Sequence, residues 1–132
     1  MTIKEIFSHL NRILPLIGLP GWMAEADRIL PAGETCCAIN EVDTVHKKIY
    51  THWNLRHPDM THSREDCLKN VYHEAVHAHS AFLRSVTNDI IHTYVDAPSA
   101  AEVKKRIEDH LEILVGSLAI AFYNLIERSE SN

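Results

Sequence analysis

Residues 70–83 read NVYHEAVHAHSAFL, and three histidines and one glutamate fall within seven of those positions. An H-E-x-x-H placed on a helix sets two imidazoles one turn apart on one face, close enough to grip a single metal ion. His73 and His77 are that pair, and Glu74 flanks them where it can take a proton from metal-activated water. The chain has ten histidines, so the surroundings must separate a site from a coincidence. At about 100° per residue, His77 lies about 40° and Glu74 about 100° from His73. Asp66, Asn70, Ala81 and Arg84 share that sector. The opposite sector holds Leu68, Val71, Tyr72, Ala75, Val76, Phe82, Leu83 and Val86 and is predicted to pack. His79 falls on the apolar side and reads as a packed or partly exposed histidine, not a co-ligand.

A zinc site needs a third protein ligand, and a catalytic one leaves the fourth position open. His92, Asp96, Glu102, Glu108, Asp109, His110 and Glu112 follow the motif. Residues 111–126, LEILVGSLAIAFYNLI, are apolar nearly all round a helix, which predicts a buried helix. A carboxylate inside it is costly unless it is paired or binds metal. Glu112 is that carboxylate, and its face continues with Gly116 and Ala119, small enough for the HEAVH helix to approach. The plain alternative is a salt bridge from Glu112 to Arg84 or Lys104.

The elements that must position these residues are legible in outline. Ile3, Ile6, Phe7, Leu10, Ile13 and Leu14 have helical spacing, and Pro15, Pro20 and Gly21 then break it. WMAEADRIL, TCCAINEV and KKIYTHWNL are short runs bounded by turn-like residues, Pro31-Ala32-Gly33 and then Asn40 to Asp43. They predict two or three short antiparallel strands. RHPDMTHSRED reads as a loop ending at Ser63, an N-cap with acids in the following turn. The HEAVH helix is therefore expected over about 63–86, a less regular stretch over 87–98, and a long helix over about 99–128 with a fraying tail. The fold class is α+β: an N-terminal helix, a small antiparallel sheet, the HExxH helix and a long C-terminal helix. At 132 residues this is one domain with a continuous core.

Composition narrows the function. A formal net charge of -5 and no Lys/Arg run beyond KKR at 104–106 argue against nucleic-acid binding. The N-terminal segment is an amphipathic helix without a small-residue cleavage site, and no apolar run is expected to span a bilayer. Cys36, Cys37 and Cys67 form no C-x-x-C and are odd in number, which excludes a disulfide framework or thiolate zinc site and suggests a reducing cytoplasm. Cys67 is expected to be a small buried residue, and Trp22, Trp53 and Phe82 to be core. His52, His57 and His62 read as loop residues, one of which could overhang a cleft.

HEAVHAH, a second helix carrying a Glu, and the series Glu112, Val115, Leu118, Ala119, Tyr123 and Leu125 resemble the small gluzincin-type zinc metallopeptidases of phages, related to the ImmA/IrrE-like peptidases. The resemblance covers about residues 47–128. It implies a small sheet ahead of the HExxH helix, Zn2+ held by His73, His77 and Glu112, and Glu74 as catalytic base in peptide-bond hydrolysis. Familiar gluzincins place an Asp four residues after the ligand Glu, and this chain has Gly116 there. The expected partner is a protein or peptide substrate, with no nucleic acid and no membrane. Tyr94, Tyr123, His92 and His110 are candidate oxyanion donors, and substrate backbone is expected to add to an edge strand near KKIYTHW. The rivals are a non-proteolytic zinc-containing regulator or inhibitor of a host protein in a phage or mobile element, and a metal-free helical module.

Overall fold

A computed structural model of the chain describes residues 1–26 and 35–130. The first helix, α1 (Ile3–Leu16), starts at a capping box in which Thr2 and Glu5 satisfy each other's backbone N–H groups. Pro15 lies inside its last turn and does not end it. Gly18 does, at φ 87°, with Leu19 N–H reaching Leu14 O and Gly18 N–H reaching Pro15 O. This is a Schellman closure, which needs the left-handed backbone that glycine adopts without strain.

Three strands follow: β1 (Met23–Ala26), β2 (Ala38–Asp43) and β3 (Lys48–Trp53). The order is β1-β3-β2, with β2 antiparallel and β1 parallel to β3. The sheet is thus mixed, and antiparallel only across the β2–β3 hairpin. KIYTHW is its central strand, so the expected edge-strand role does not hold there. The turn expected at Asn40 to Asp43 lies within β2. The chain reverses over 44–47 instead, where Asp43 Oδ1 accepts from Val45 and His46 N–H and Lys47 takes φ 55°. The far half of WMAEADRIL and the turn at Pro31-Ala32-Gly33 lie outside the described residues. Asn11 of α1 covers β1's outer edge: its side chain donates to Ala24 O and accepts from Ala24 N–H. Pairing groups on that edge are thereby occupied.

A four-residue helix, α2 (Pro58–Thr61), breaks the expected loop, with Pro58 at a first-turn position that tolerates a missing N–H. Ser63 caps α3 (Arg64–Tyr94) as expected. The helix runs on to Tyr94, past the expected end at 86, because nothing in residues 87–94 terminates it. A short link leads into α4 (Ala97–Glu130), antiparallel to α3. The core joins Ile6, Leu10, Ile13 and Leu14 of α1, Ile49 and Trp53 of β3, Val71, Tyr72, Ala75 and Val76 of α3, and Val115 and Ala119 of α4. Cys67 is buried, as expected.

Two burial expectations are corrected. Phe82, Leu83 and Val86 are exposed, because α1 stops short of them. α4 is not buried all round: Ile113, Leu114, Ile120 and Leu125 face outward, because among the described residues α3 is the element that packs along its length. By length and composition α4 is also the one helix among the described residues able to cross a bilayer, contrary to the expectation that no segment would reach that length.

Candidate metal centre

The HEAVH residues sit mid-way along α3, where α4 crosses one flank and β2 the other. His73 Nε2 and His77 Nε2 face each other at 3.2 Å. Glu112 reaches across from α4, its Oε2 3.5 Å from His73 Nε2 and its Oε1 3.6 Å from His77 Nε2. Donors about 2.05 Å from a tetrahedral zinc are roughly 3.3 Å apart. The histidine pair matches that edge length, and Glu112 sets one oxygen near each histidine at slightly greater distance. The two nitrogens and one carboxylate are also the donor types that zinc takes, so these residues fit a zinc ion.

Glu112 lies where the sequence places it, but for a different reason. Its side chain is half exposed, so the burial cost that singled it out does not exist. The alternative ion pair is also present, Arg84 Nη2 lying 3.8 Å from Glu112 Oε1, while Arg84 Nε donates to both oxygens of Glu108 at 2.8 and 3.0 Å. Glu108 thus holds the guanidinium most closely, and Glu112 stands between Arg84 and the two histidines.

His77 is buried, and burial, the adjoining His73 and the Arg84 charge push its pKa down to about 4. It is neutral near pH 7, as a metal ligand must be. Its Nδ1 is buried with no hydrogen-bond partner among the described residues. Ligating histidines usually donate that N–H to a carbonyl or carboxylate. At Gly116, where familiar gluzincins carry an Asp, an added Cβ would meet nothing within 4 Å.

Glu74 is 7% exposed, and burial raises its pKa to about 7 against the hydrogen bond from Asn40, with the Glu112 charge adding to the rise. The Asn40 amide donates to Glu74 Oε2, and no hydrogen bond reaches Oε1 among the described residues. Donor atoms of His73, Glu74 and His77 all lie within 4.8 Å of one another, so Glu74 competes with Glu112 as the third ligand. The Asn40 bond and deeper burial favour Glu112 for the metal and Glu74 for proton transfer.

Sequence reasoning missed Asn40. Cross-strand pairing puts Ala38, Asn40 and Val42 on the face of Trp53, Thr51 and Ile49, which points at the helices. A polar residue between apolar ones at period two was the available signal.

These side chains line an open cleft of about 420 Å³ together with Cys36, Cys37 and His57. His57 is the member of its histidine trio that reaches the cleft. It caps α2, accepting Asp59 N–H at Nδ1 (3.3 Å), so the neutral ring carries its hydrogen on Nε2. Burial and the charges of Glu74 and Asp59 raise the Cys37 thiol to about 11. The other candidate donors are elsewhere. Tyr94 is exposed at the far end of α3, and Tyr123 packs edge-on against Tyr72. His110 Nδ1 meets Arg106 O, and His92 lines a separate depression with Asp89 and Lys104. His79 contacts Ile17 O at 2.7 Å and stacks on Phe122, away from the site. No family model, curated protein or solved structure matches the chain, so the gluzincin resemblance rests on its residues alone.

Proposed function

We propose that this chain is a zinc metallopeptidase of the gluzincin kind, with His73, His77 and Glu112 holding the metal and Glu74 as general base. The convergence of three donors at 3.2–3.6 Å beside a buried glutamate carries this reading. Zinc, when bound, supplies Lewis acidity, polarising a carbonyl and lowering the pKa of water towards neutral.

The chain's own residues do the rest. Glu74 Oε1 takes the proton of the attacking water and passes it to the leaving amine, while Asn40 fixes the carboxylate through Oε2. His57 offers an Nε2–H from the cleft wall to the developing oxyanion. The strand edge beside the cleft is β2, so an extended substrate would add there and not at β3. The cysteines, unbridged among the described residues, suit a reducing compartment.

The test is incubation of zinc-loaded protein with a mixed peptide library, read by mass spectrometry. Cleavage that is abolished by a chelator and by Glu74→Gln supports the proposal. Full zinc occupancy without cleavage of any peptide overturns it in favour of a non-proteolytic regulator.

A further inference from the structure

The half of the α3–α4 hairpin beyond the core presents an apolar face on the side away from the metal cleft. Val71, Ala75 and Ala78 form an α3 stripe that shares the core with α1, which ends at Leu16 with its C-cap Ile17 beside His79. The stripe continues as Phe82, Leu83, Val86, Ile90 and Tyr94, which are 42–82% exposed. Across from it, α4 contributes Ile107, Leu111, Leu114 and Leu118, spaced four, three and four residues apart. That is the heptad spacing of a seam between supercoiled helices. The two helices enclose a groove of about 370 Å³ lined by Leu83, Ile107, Leu111 and Leu114.

We propose that this face is a homodimer interface, two hairpins packing into an antiparallel four-helix bundle. Side chains of roughly 150–250 Å² each for the aromatics, exposed to the degree seen in this chain, leave on the order of 600 Å² of apolar surface per copy. The flanks bring that close to the about 800 Å² per partner of a standard interface. A two-fold axis along the hairpin lays α3 of one copy over α4 of the other and keeps neighbouring helices antiparallel. It also sets the outer flank of α3, with Asp89, beside the outer flank of α4, with Arg106. The Arg84–Glu108 pair fixes the level of the helices, and by it Asp89 and the partner's Arg106 lie within one turn. Arg106 already pairs with Glu102 within α4 at 2.7 Å, so the partner's Asp89 adds a second carboxylate to the same guanidinium on each side of the axis. The metal cleft opens on the other side and stays accessible.

Sedimentation at micromolar concentration and above should give about twice the chain mass of 15.0 kDa. Phe82→Glu with Ile90→Glu should give the single-chain mass with helicity and zinc content unchanged, since both side chains are exposed in the isolated chain. Asp89→Arg and Arg106→Asp should each weaken association by about tenfold, and the two together should restore it. A wild-type monomer, a dimer untouched by the glutamates, or charge swaps that fail to compensate would overturn the proposal. So would wild-type protein that stays monomeric and instead co-sediments with phospholipid vesicles.

Discussion

Replacing Glu112 with Ala tests the ligand set, because it removes one of three convergent donors and leaves the apo fold nearly untouched. Glu112 is half exposed and lies outside the core, and its contacts with the histidines are 3.5 and 3.6 Å, longer than hydrogen bonds. Apo stability should therefore change by less than about 0.5 kcal/mol, as at ordinary surface sites. The metal should respond far more. Structural zinc sites bind with about 10–16 kcal/mol over four ligands, or roughly 3 kcal/mol each. At about 1.4 kcal/mol per decade, losing the carboxylate weakens binding by about two orders of magnitude. Glu112→Gln keeps an oxygen but not the charge and should fall between the two. Glu108→Ala removes no donor but frees Arg84 to draw Glu112 away, so its zinc affinity should fall by less than that of Glu112→Ala. Chelator-competition titration reads the affinities and thermal melts of apo protein read the fold. If Glu112→Ala binds within a few-fold of wild type while Glu74→Ala loses the metal, the third ligand is Glu74 and Glu112 is not one.

Glu74→Gln should retain zinc and fold while peptide hydrolysis drops by about a hundredfold or more, measured as kcat on the best library peptide. His57→Ala should lower kcat by roughly ten- to a thousandfold with little change in KM; an equal rise in KM would mark it as a binding residue instead. Tyr72→Phe removes a hydroxyl donating to Glu127 at 2.7 Å from a fully buried ring, and should cost about 1–2 kcal/mol in urea unfolding. The Glu5 carboxyl is held down to about 2, first by the Thr2 N–H and then by Arg64, from an ordinary value of 4.5. A lowered pKa stabilises the fold above 4.5 and loses that effect as pH falls towards 2. The melting temperature of wild type should therefore exceed that of Glu5→Gln at about pH 6 and converge with it near pH 2; a constant difference would refute the linkage.

Local pattern alone determined much of this protein. The HEAVH spacing put His73 and His77 on one face, Ser63 marked the start of α3, and the change from short apolar runs to helical periodicity separated sheet from helices. Each of these depends on residues within a turn or a strand of one another, so periodicity and capping chemistry suffice. Glu112 was singled out from the sequence through a burial that does not occur. What brings it beside the histidines is the antiparallel crossing of α3 and α4, with Glu108 holding Arg84 most closely. Only the tertiary structure could decide the pairing of Asn40 with Glu74, the arrival of His57 in the cleft, and the parallel insertion of β1 that made β3 central and β2 the edge. These join residues far apart in the chain, or strands with the same local preferences in either direction, and no neighbouring residue encodes the choice. The same holds for burial. Phe82 and Ile113 look like core by hydrophobicity, but a side chain is buried only where another element arrives to cover it, and α1 ends at Leu16.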